Sequence, residues 1–235
     1  MTEFRPIFRL VVAAIKVYTR ITCRIDAPDL HEIPKTGPLI VISNHTGQIE
    51  VPVLFAFLQP RKLTGWAKVE TWDNWFLHWV FNLWGMIPIR RGEADMKALR
   101  QALTALENGA ILGIAPEGTR NKTGILRRAL PGVVIIALHS GAPILPIAHW
   151  GGEVFLKNLK RLKRTDFHVR VGEPFRLDTA GVKVTAEMRQ EIVDEMMFRI
   201  AALLPEEYRG EYSGLAAPTE KYTKTWNKIP ALSKS

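Results

Sequence analysis

Three short apolar runs, each bounded by turn residues, constrain this chain more than any other feature. Leu39 to Ile42 lies between Gly37 and the pair Ser43-Asn44, Ala110 to Ala115 leads into Pro116, and Gly141-Ala-Pro-Ile-Leu-Pro-Ile-Ala148 is bracketed by Pro and Gly. Runs of this length and apolarity read as buried strands. Another apolar run, Val133 to Leu138, precedes the last of them. Helical patterns alternate with the strands. Met96, Leu99, Leu103 and Leu106 recur at steps of three and four, with Gly109 placed to end the helix. Thr185 is placed to cap a helix carrying Met188, Ile192, Met196 and Ile200 on one face, and Pro205 lies just past its end. This alternation argues for an α/β fold. The expected architecture is a single layered domain with a central mixed, mostly parallel sheet flanked by helices. A chain of 235 residues, 47% of them hydrophobic, can bury one sizeable core.

The first run also delivers a histidine and a carboxylate, in Ser43-Asn-His-Thr-Gly-Gln-Ile-Glu50. Five residues along a continuous helix turn through roughly 500°, so the two side chains would diverge there. They meet only if His45 lies in a turn and Glu50 on a short helix behind it, one that Pro60 would end. The carboxylate then accepts the proton of one ring nitrogen and leaves the other as a general base. The plainer alternative is a strand-loop-helix connection whose histidine caps a backbone group. Gly85-Met-Ile-Pro-Ile-Arg-Arg-Gly92 reads as a short strand ending in a basic turn. Beside a pocket, Arg90 and Arg91 would make a fork for phosphate; otherwise they are solvated. No metal is expected: His31, His78, His139, His149 and His168 make no familiar short-spaced ligand pair with His45, and there is no His-Glu-x-x-His. Nor is there a Gly-x-Ser-x-Gly elbow to supply a serine nucleophile.

Thirty-two Lys and Arg against 23 Asp and Glu give a net charge of +9, which attracts something polyanionic: nucleic acid, an anionic membrane face or a phosphorylated substrate. The lone Cys23 excludes an intramolecular disulfide and fits a reducing compartment. Near the N-terminus the apolar stretch Leu10 to Ile15 is far short of the ~20 residues of a spanning helix. Lys16 and Arg20 follow it with no small-residue cleavage site, unlike a signal peptide. Framed by Arg5, Arg9, Lys16 and Arg20, it suits a helix lying in a membrane interface, or one packed on the protein's own core. Within Trp66 to Trp84, Trp72, Trp75 and Trp79 recur at helical spacing, giving an aromatic face for a core or for lipid headgroups. Lys157 to Arg164 is a basic run ahead of a strand pattern at Phe167 to Val171, read as a solvated loop or as a contact for anionic headgroups or a nucleotide phosphate. A basic module binding nucleic acid or membrane without chemistry is the rival class. No nucleic-acid motif supports it, and the aromatics cluster in an apolar helix. The expected organisation is an N-terminal amphipathic segment and linker (1–34), an α/β domain (35–212) and an extended or mobile tail (213–235).

Several matches then coincide in order. Asn44-His45-x4-Glu50 resembles the first block of the glycerolipid acyltransferase superfamily, in which Asn-His-x4-Asp carries the catalytic dyad. Gly85 to Arg91 is similar to the second block, Pro116-Glu-Gly-Thr-Arg120 to the third, and Ala142-Pro-Ile-Leu-Pro-Ile147 to the fourth. Leu204-Pro-Glu-Glu-Tyr-Arg-Gly-Glu-Tyr212 resembles a common family ending. The resemblance covers roughly residues 35 to 212 and includes 1-acylglycerol-3-phosphate acyltransferases, which the length and the N-terminal segment favour. It implies that His45 removes the acceptor hydroxyl proton while Glu50 orients the imidazole, with direct attack on a thioester and no acyl-enzyme. It implies that Asn44, Arg91, Glu117, Gly118, Thr119 and Arg120 form the substrate-binding blocks, the arginines pairing with phosphate. The implied partners are acyl-CoA or acyl-carrier protein, a lysophospholipid acceptor and an anionic membrane surface at the cytoplasmic face, with no cofactor and no nucleic acid. Two departures stand out: Glu50 replaces the usual Asp, and no basic residue stands at Leu130-Pro-Gly132, although Arg127 and Arg128 are near.

Overall fold

The computed structural model describes residues 5–90, 92, 95–214 and 220–226. Its centre is a mixed sheet in the order β1-β7-β6-β2-β5-β3-β4, extended by β8 and β9. The middle is built from the three apolar runs: β2 (Leu39–Ser43), β5 (Ile111–Ile114) and β6 (Ile144–Trp150). β2 pairs in parallel with both β5 and β6. On the β5 side β3 (Leu63–Lys68) and β4 (Ile87–Ile89) continue in parallel. On the other side β7 (Thr165–Val171) runs antiparallel to β6, and β1 (Cys23–Asp26) is parallel to β7.

Both faces of β2 are covered, which is why its run has no polar alternation. Ile40 and Ile42 point into a core with α4 (Met96–Glu107), α5 (Gly132–Ser140) and α7 (Ala186–Ala201). Leu39 and Val41 face the opposite layer, where α2 (Glu50–Phe57) and α6 (Phe155–Lys160) lie. A third cluster joins α2 to two outer helices, α1 (Arg5–Thr22) and α3 (Trp75–Trp84), through Val12, Phe55, Ala56 and Trp84. The result is an α/β sandwich with an additional shell over α2.

Several local readings hold and others are corrected. Thr185 caps α7, accepting from the Met188 amide at 3.3 Å, and Gly109 follows α4 with φ +72°. The apolar run Val133 to Leu138 lies inside α5, and the basic run at 157–164 begins as the last turn of α6. The segment 66–84 is not one helix. Trp66 belongs to β3, Trp72 to a one-turn 3-10 helix, and α3 starts only at Trp75, because the Asn74 side chain accepts from the Phe76 and Leu77 amides, both at 3.1 Å. The stretch read as a linker contributes β1, held to β7 where Asp26 accepts from Arg170 Nη2 (2.6 Å) and His168 Nδ1 (3.0 Å). The stretch read as an extended or mobile tail contributes β9 (Thr223–Thr225), which pairs with β8 (Phe175–Leu177). Among the described residues no helix is long and apolar enough to cross a membrane.

Candidate active site

β2 ends at Ser43, and the chain turns through Asn44 to Ile49 before α2 begins at Glu50. The turn places His45 over the first residue of α2, and His45 Nδ1 donates to Glu50 Oε1 at 2.6 Å. A carboxylate oxygen can only accept, so Nδ1 carries the proton and Nε2 is the unprotonated nitrogen. The same Oε1 accepts from the Gly47 amide at 3.0 Å. Gly47 is required by space: a Cβ there would lie 3.1 Å from the Gly152 carbonyl oxygen and 3.6 Å from Glu50 Oε2. Glu50 is 2% exposed. Burial alone would raise its pKa, but the hydrogen bond from His45, helped by the nearby imidazoles and the helix amide, outweighs it and holds the carboxyl at about 2. Glu50 is therefore ionised at neutral pH, a state able to orient the His45 ring and to stabilise its charged form.

The backbone of His45 is held on both sides. Its amide donates to Glu117 Oε1 at 3.1 Å, and its carbonyl accepts from the Asn121 amide at 2.7 Å. Glu117 is buried, and its other oxygen accepts from the Arg127 amide at 3.3 Å. Burial raises its pKa, an effect that these amide hydrogen bonds oppose. Asn44, 1% exposed, spends its side chain on the backbone of His149: Nδ2 donates to the carbonyl at 2.7 Å and Oδ1 accepts from the amide at 3.0 Å. Both residues were expected to bind substrate, and both have their polar atoms committed to the frame around His45.

His45 and Glu50 open into a cavity of about 400 Å³. Its body is apolar, with Val51, Leu54, Leu58, Leu63 and Met86, while Asn44, His45, Glu50, Arg90, Pro116 and Gly118 also line it. The floor passes between β3 and β5 at Gly65 and Gly113, where a Cβ on Gly65 would sit 2.8 Å from the Gly113 carbonyl oxygen. Gly118 turns with φ +69°, and a Cβ there would meet Leu130 Cδ1 at 2.8 Å. Thr119 and Arg120 are exposed on the same turn and are not among the cavity-lining residues. Arg91 lies outside the described residues. Its neighbour Arg90 lines the cavity, with its amide bound to Asp95 Oδ2 at 3.1 Å. The family-like ending has a positional role: the Leu126 amide donates to the Tyr208 carbonyl at 2.9 Å, and the Tyr212 hydroxyl accepts from the Ala129 amide at 3.1 Å. These contacts fasten the loop that carries Glu117 to the rest of the fold.

His149 was not among the expected site residues, yet it is fully buried directly behind the His45 turn. The only sequence signal for it is a histidine at the end of an otherwise apolar strand. Desolvation lowers its pKa from the ordinary 6.5, an effect partly opposed by the Glu50 charge.

Comparison with known proteins gives a consistent set of relatives. A family model described as Acyltransferase matches residues 24–150. The chain is 28% identical over 186 residues to a 1-acyl-sn-glycerol-3-phosphate acyltransferase of Pseudomonas aeruginosa, covering 77% of this chain and 71% of that one. It is 27% identical over 183 residues to a lyso-ornithine lipid O-acyltransferase of the same organism, covering 70% of each chain. Among solved structures, a 1-acyl-sn-glycerophosphate acyltransferase from Thermotoga maritima shares the fold with a TM-score of 0.64 at 22% identity, covering 86% of this chain and 82% of that one.

Proposed function

We propose, from the premise that this chain belongs to the acyltransferase family and is an enzyme, that it esterifies the free hydroxyl of a lysophospholipid using a fatty acyl thioester. The donor is acyl-CoA or acyl-carrier protein, and the acceptor that best fits the relatives is 1-acyl-sn-glycerol 3-phosphate, giving phosphatidic acid. The observation that carries this reading is the 2.6 Å contact from His45 Nδ1 to Glu50 Oε1 at an apolar cavity.

In this mechanism His45 Nε2 takes the proton of the acceptor hydroxyl as its oxygen attacks the thioester carbonyl carbon. Glu50 stabilises the imidazolium so formed. Collapse of the tetrahedral oxyanion breaks the C–S bond, and the leaving thiolate recovers the proton from His45. No enzyme nucleophile is needed. The apolar body of the cavity suits an acyl chain, and the cationic side chain of Arg90 suits a phosphate, with Arg91 beside it in sequence and Arg120 on the exposed turn. Glu117 acts by holding the His45 amide, and Asn44 by tying the end of β2 to the His149 backbone.

The enzyme works peripherally at the cytoplasmic face of a membrane. The outward faces of α1 and α3 support this: Ile7, Leu10, Val17 and Ile21 on the first, and Trp75, Phe76 and Trp79 on the second, are exposed, with Leu10 at 71% and Trp75 at 81%. Arg9, Lys16 and Arg20 lie along α1, where each would add about 1 kcal/mol against anionic lipid. A second reading keeps the chemistry and takes an amino-acid-containing lysolipid, supported by the comparable similarity to the lyso-ornithine lipid enzyme. Purified protein offered lysophosphatidate and lyso-ornithine lipid, each with acyl-CoA and acyl-carrier protein, separates the two. Phosphatidate as the faster product is expected; preference for the ornithine lipid selects the second reading, and no acyl transfer to either rejects both.

A further inference from the structure

We propose that His149 is a positioning residue for the reaction: its ring holds the peptide immediately before the catalytic histidine, and so sets where His45 Nε2 points. The inference rests on the reading of His45 as the base.

The geometry is specific about how it does so. His149 Nε2 lies 2.7 Å from the Asn44 carbonyl oxygen, which can only accept, so the proton is on Nε2. The other ring nitrogen, Nδ1, then accepts from the Thr46 hydroxyl at 3.4 Å. The ring thus touches the residue before His45 and the residue after it. The backbone of His149 takes both side-chain bonds from Asn44, so residues 44 and 149 are joined by three hydrogen bonds just beyond the last registered pair of β2 and β6, Ser43 with Ile147. His149 holds the carbonyl side of the Asn44–His45 peptide, Glu117 accepts from its amide, and the Asn121 amide donates to the His45 carbonyl.

The surroundings keep this ring in its neutral form. Nothing of it reaches solvent, and Phe167 of β7 packs against it with ring centroids 5.7 Å apart. The charged or titratable groups that face it are Glu50 on α2, His45 in the turn, and Glu153 in the 3-10 turn after β6. Glu50 Oε2 is buried without a hydrogen-bond partner among the described residues, so His149 donates its proton to the backbone and not to the dyad. Its action on catalysis is therefore through position, without proton transfer. A displacement of about 1 Å at a reacting group costs on the order of 100-fold in rate.

The test uses the full-length enzyme with a thioester donor and a lysophospholipid acceptor, comparing His149→Leu, His149→Asn and His149→Gln, with His45→Ala as a control. A glutamine amide reaches about as far as Nε2 and can donate to the Asn44 carbonyl; an asparagine amide is one methylene short. The expected result is a kcat lowered roughly 10- to 100-fold in the Leu and Asn variants, with KM for both substrates within about two-fold. The Gln variant is expected within about five-fold of wild type. If the Leu variant does not fold, the Gln and Asn pair decides by the same criterion. Wild-type kcat in the Asn variant, or an equal loss in Asn and Gln, overturns the proposal, the second by assigning the loss to ring packing. Turnover by His45→Ala at the wild-type rate overturns the underlying reading instead, whatever the His149 variants do.

Discussion

The region beneath the His45 turn and the shell formed by α1 and α3 treat apolar surface in opposite ways. Under the turn every face of β2 is covered, and Asn44, Thr46, Glu50, Glu117 and His149 are buried polar groups in a hydrogen-bonded frame. In the shell, one side of each helix packs on Phe55 and Ala56 of α2 while the other leaves Leu10, Ile21, Trp75 and Trp79 in the open. The difference teaches that the two parts answer to different demands. The first is a rigid frame for one imidazole. The second is apolar surface that no other described residue covers, and lipid is the partner proposed above.

If the two regions are separable, damage to one should leave the other working. The largest effect is expected from Glu50→Gln, which keeps an acceptor for His45 Nδ1 but removes the charge that stabilises the imidazolium in the proposed mechanism. Turnover should fall roughly 100- to 1,000-fold while sedimentation with anionic vesicles is unchanged. A parallel loss of vesicle binding would break the separation. Next comes the pair Leu10→Ser with Trp75→Ser, expected to weaken vesicle affinity by about 2 kcal/mol, roughly 30-fold. Turnover on detergent-dispersed substrate should fall far less than turnover on vesicles, and equal losses in both would place these side chains in the fold and not at the membrane.

The smallest effect concerns pH and sharpens the description of the buried frame. His149 has a folded pKa below its ordinary 6.5, so below that value the unfolded chain binds a proton that the native one does not. Its contribution to stability is thus present above pH 6.5 and lost as pH falls, by up to about 1.4 kcal/mol per pH unit for one group. Glu50, depressed from 4.5 to about 2, adds a loss only below about pH 4.5. Urea midpoints measured at pH 7 and pH 5 should therefore separate in the wild type and draw together in His149→Gln. An unchanged separation would mean that other groups set the acid sensitivity of the fold.

Much of the frame is legible in the sequence because it is local. The β2 run, the turn residues and Pro60 leave His45 and Glu50 one way to meet, and Thr185 and Gly109 mark the ends of their helices through short-range chemistry. What was not legible depends on distant partners. β1 is a strand because Asp26 meets Arg170 and His168, some 140 residues away. The segment before β9 is fixed because Glu195 accepts from the Lys221 and Tyr222 amides at 3.0 and 3.1 Å. Neither segment has apolar periodicity to show this. The long aromatic stretch misled for a different reason: spacing between tryptophans suggested one helix, while Asn74, a strong cap, starts α3 in the middle of it. In the site, the blocks pointed to the loops around the cavity, while the direction each side chain takes depends on contacts from elsewhere in the fold. Asn44 and Glu117 turn inward to the backbone, Arg90 lines the cavity, and His149 gave no sign in a strand where neighbouring positions are simply apolar.

The central claim is that Nε2 of His45 is the base for acyl transfer, and single-turnover acylation of a lysophospholipid by purified His45→Ala tests it most directly. The account predicts a rate at least about 100-fold below wild type, with the protein folded and still bound to vesicles. Acylation at the wild-type rate by that variant would contradict it.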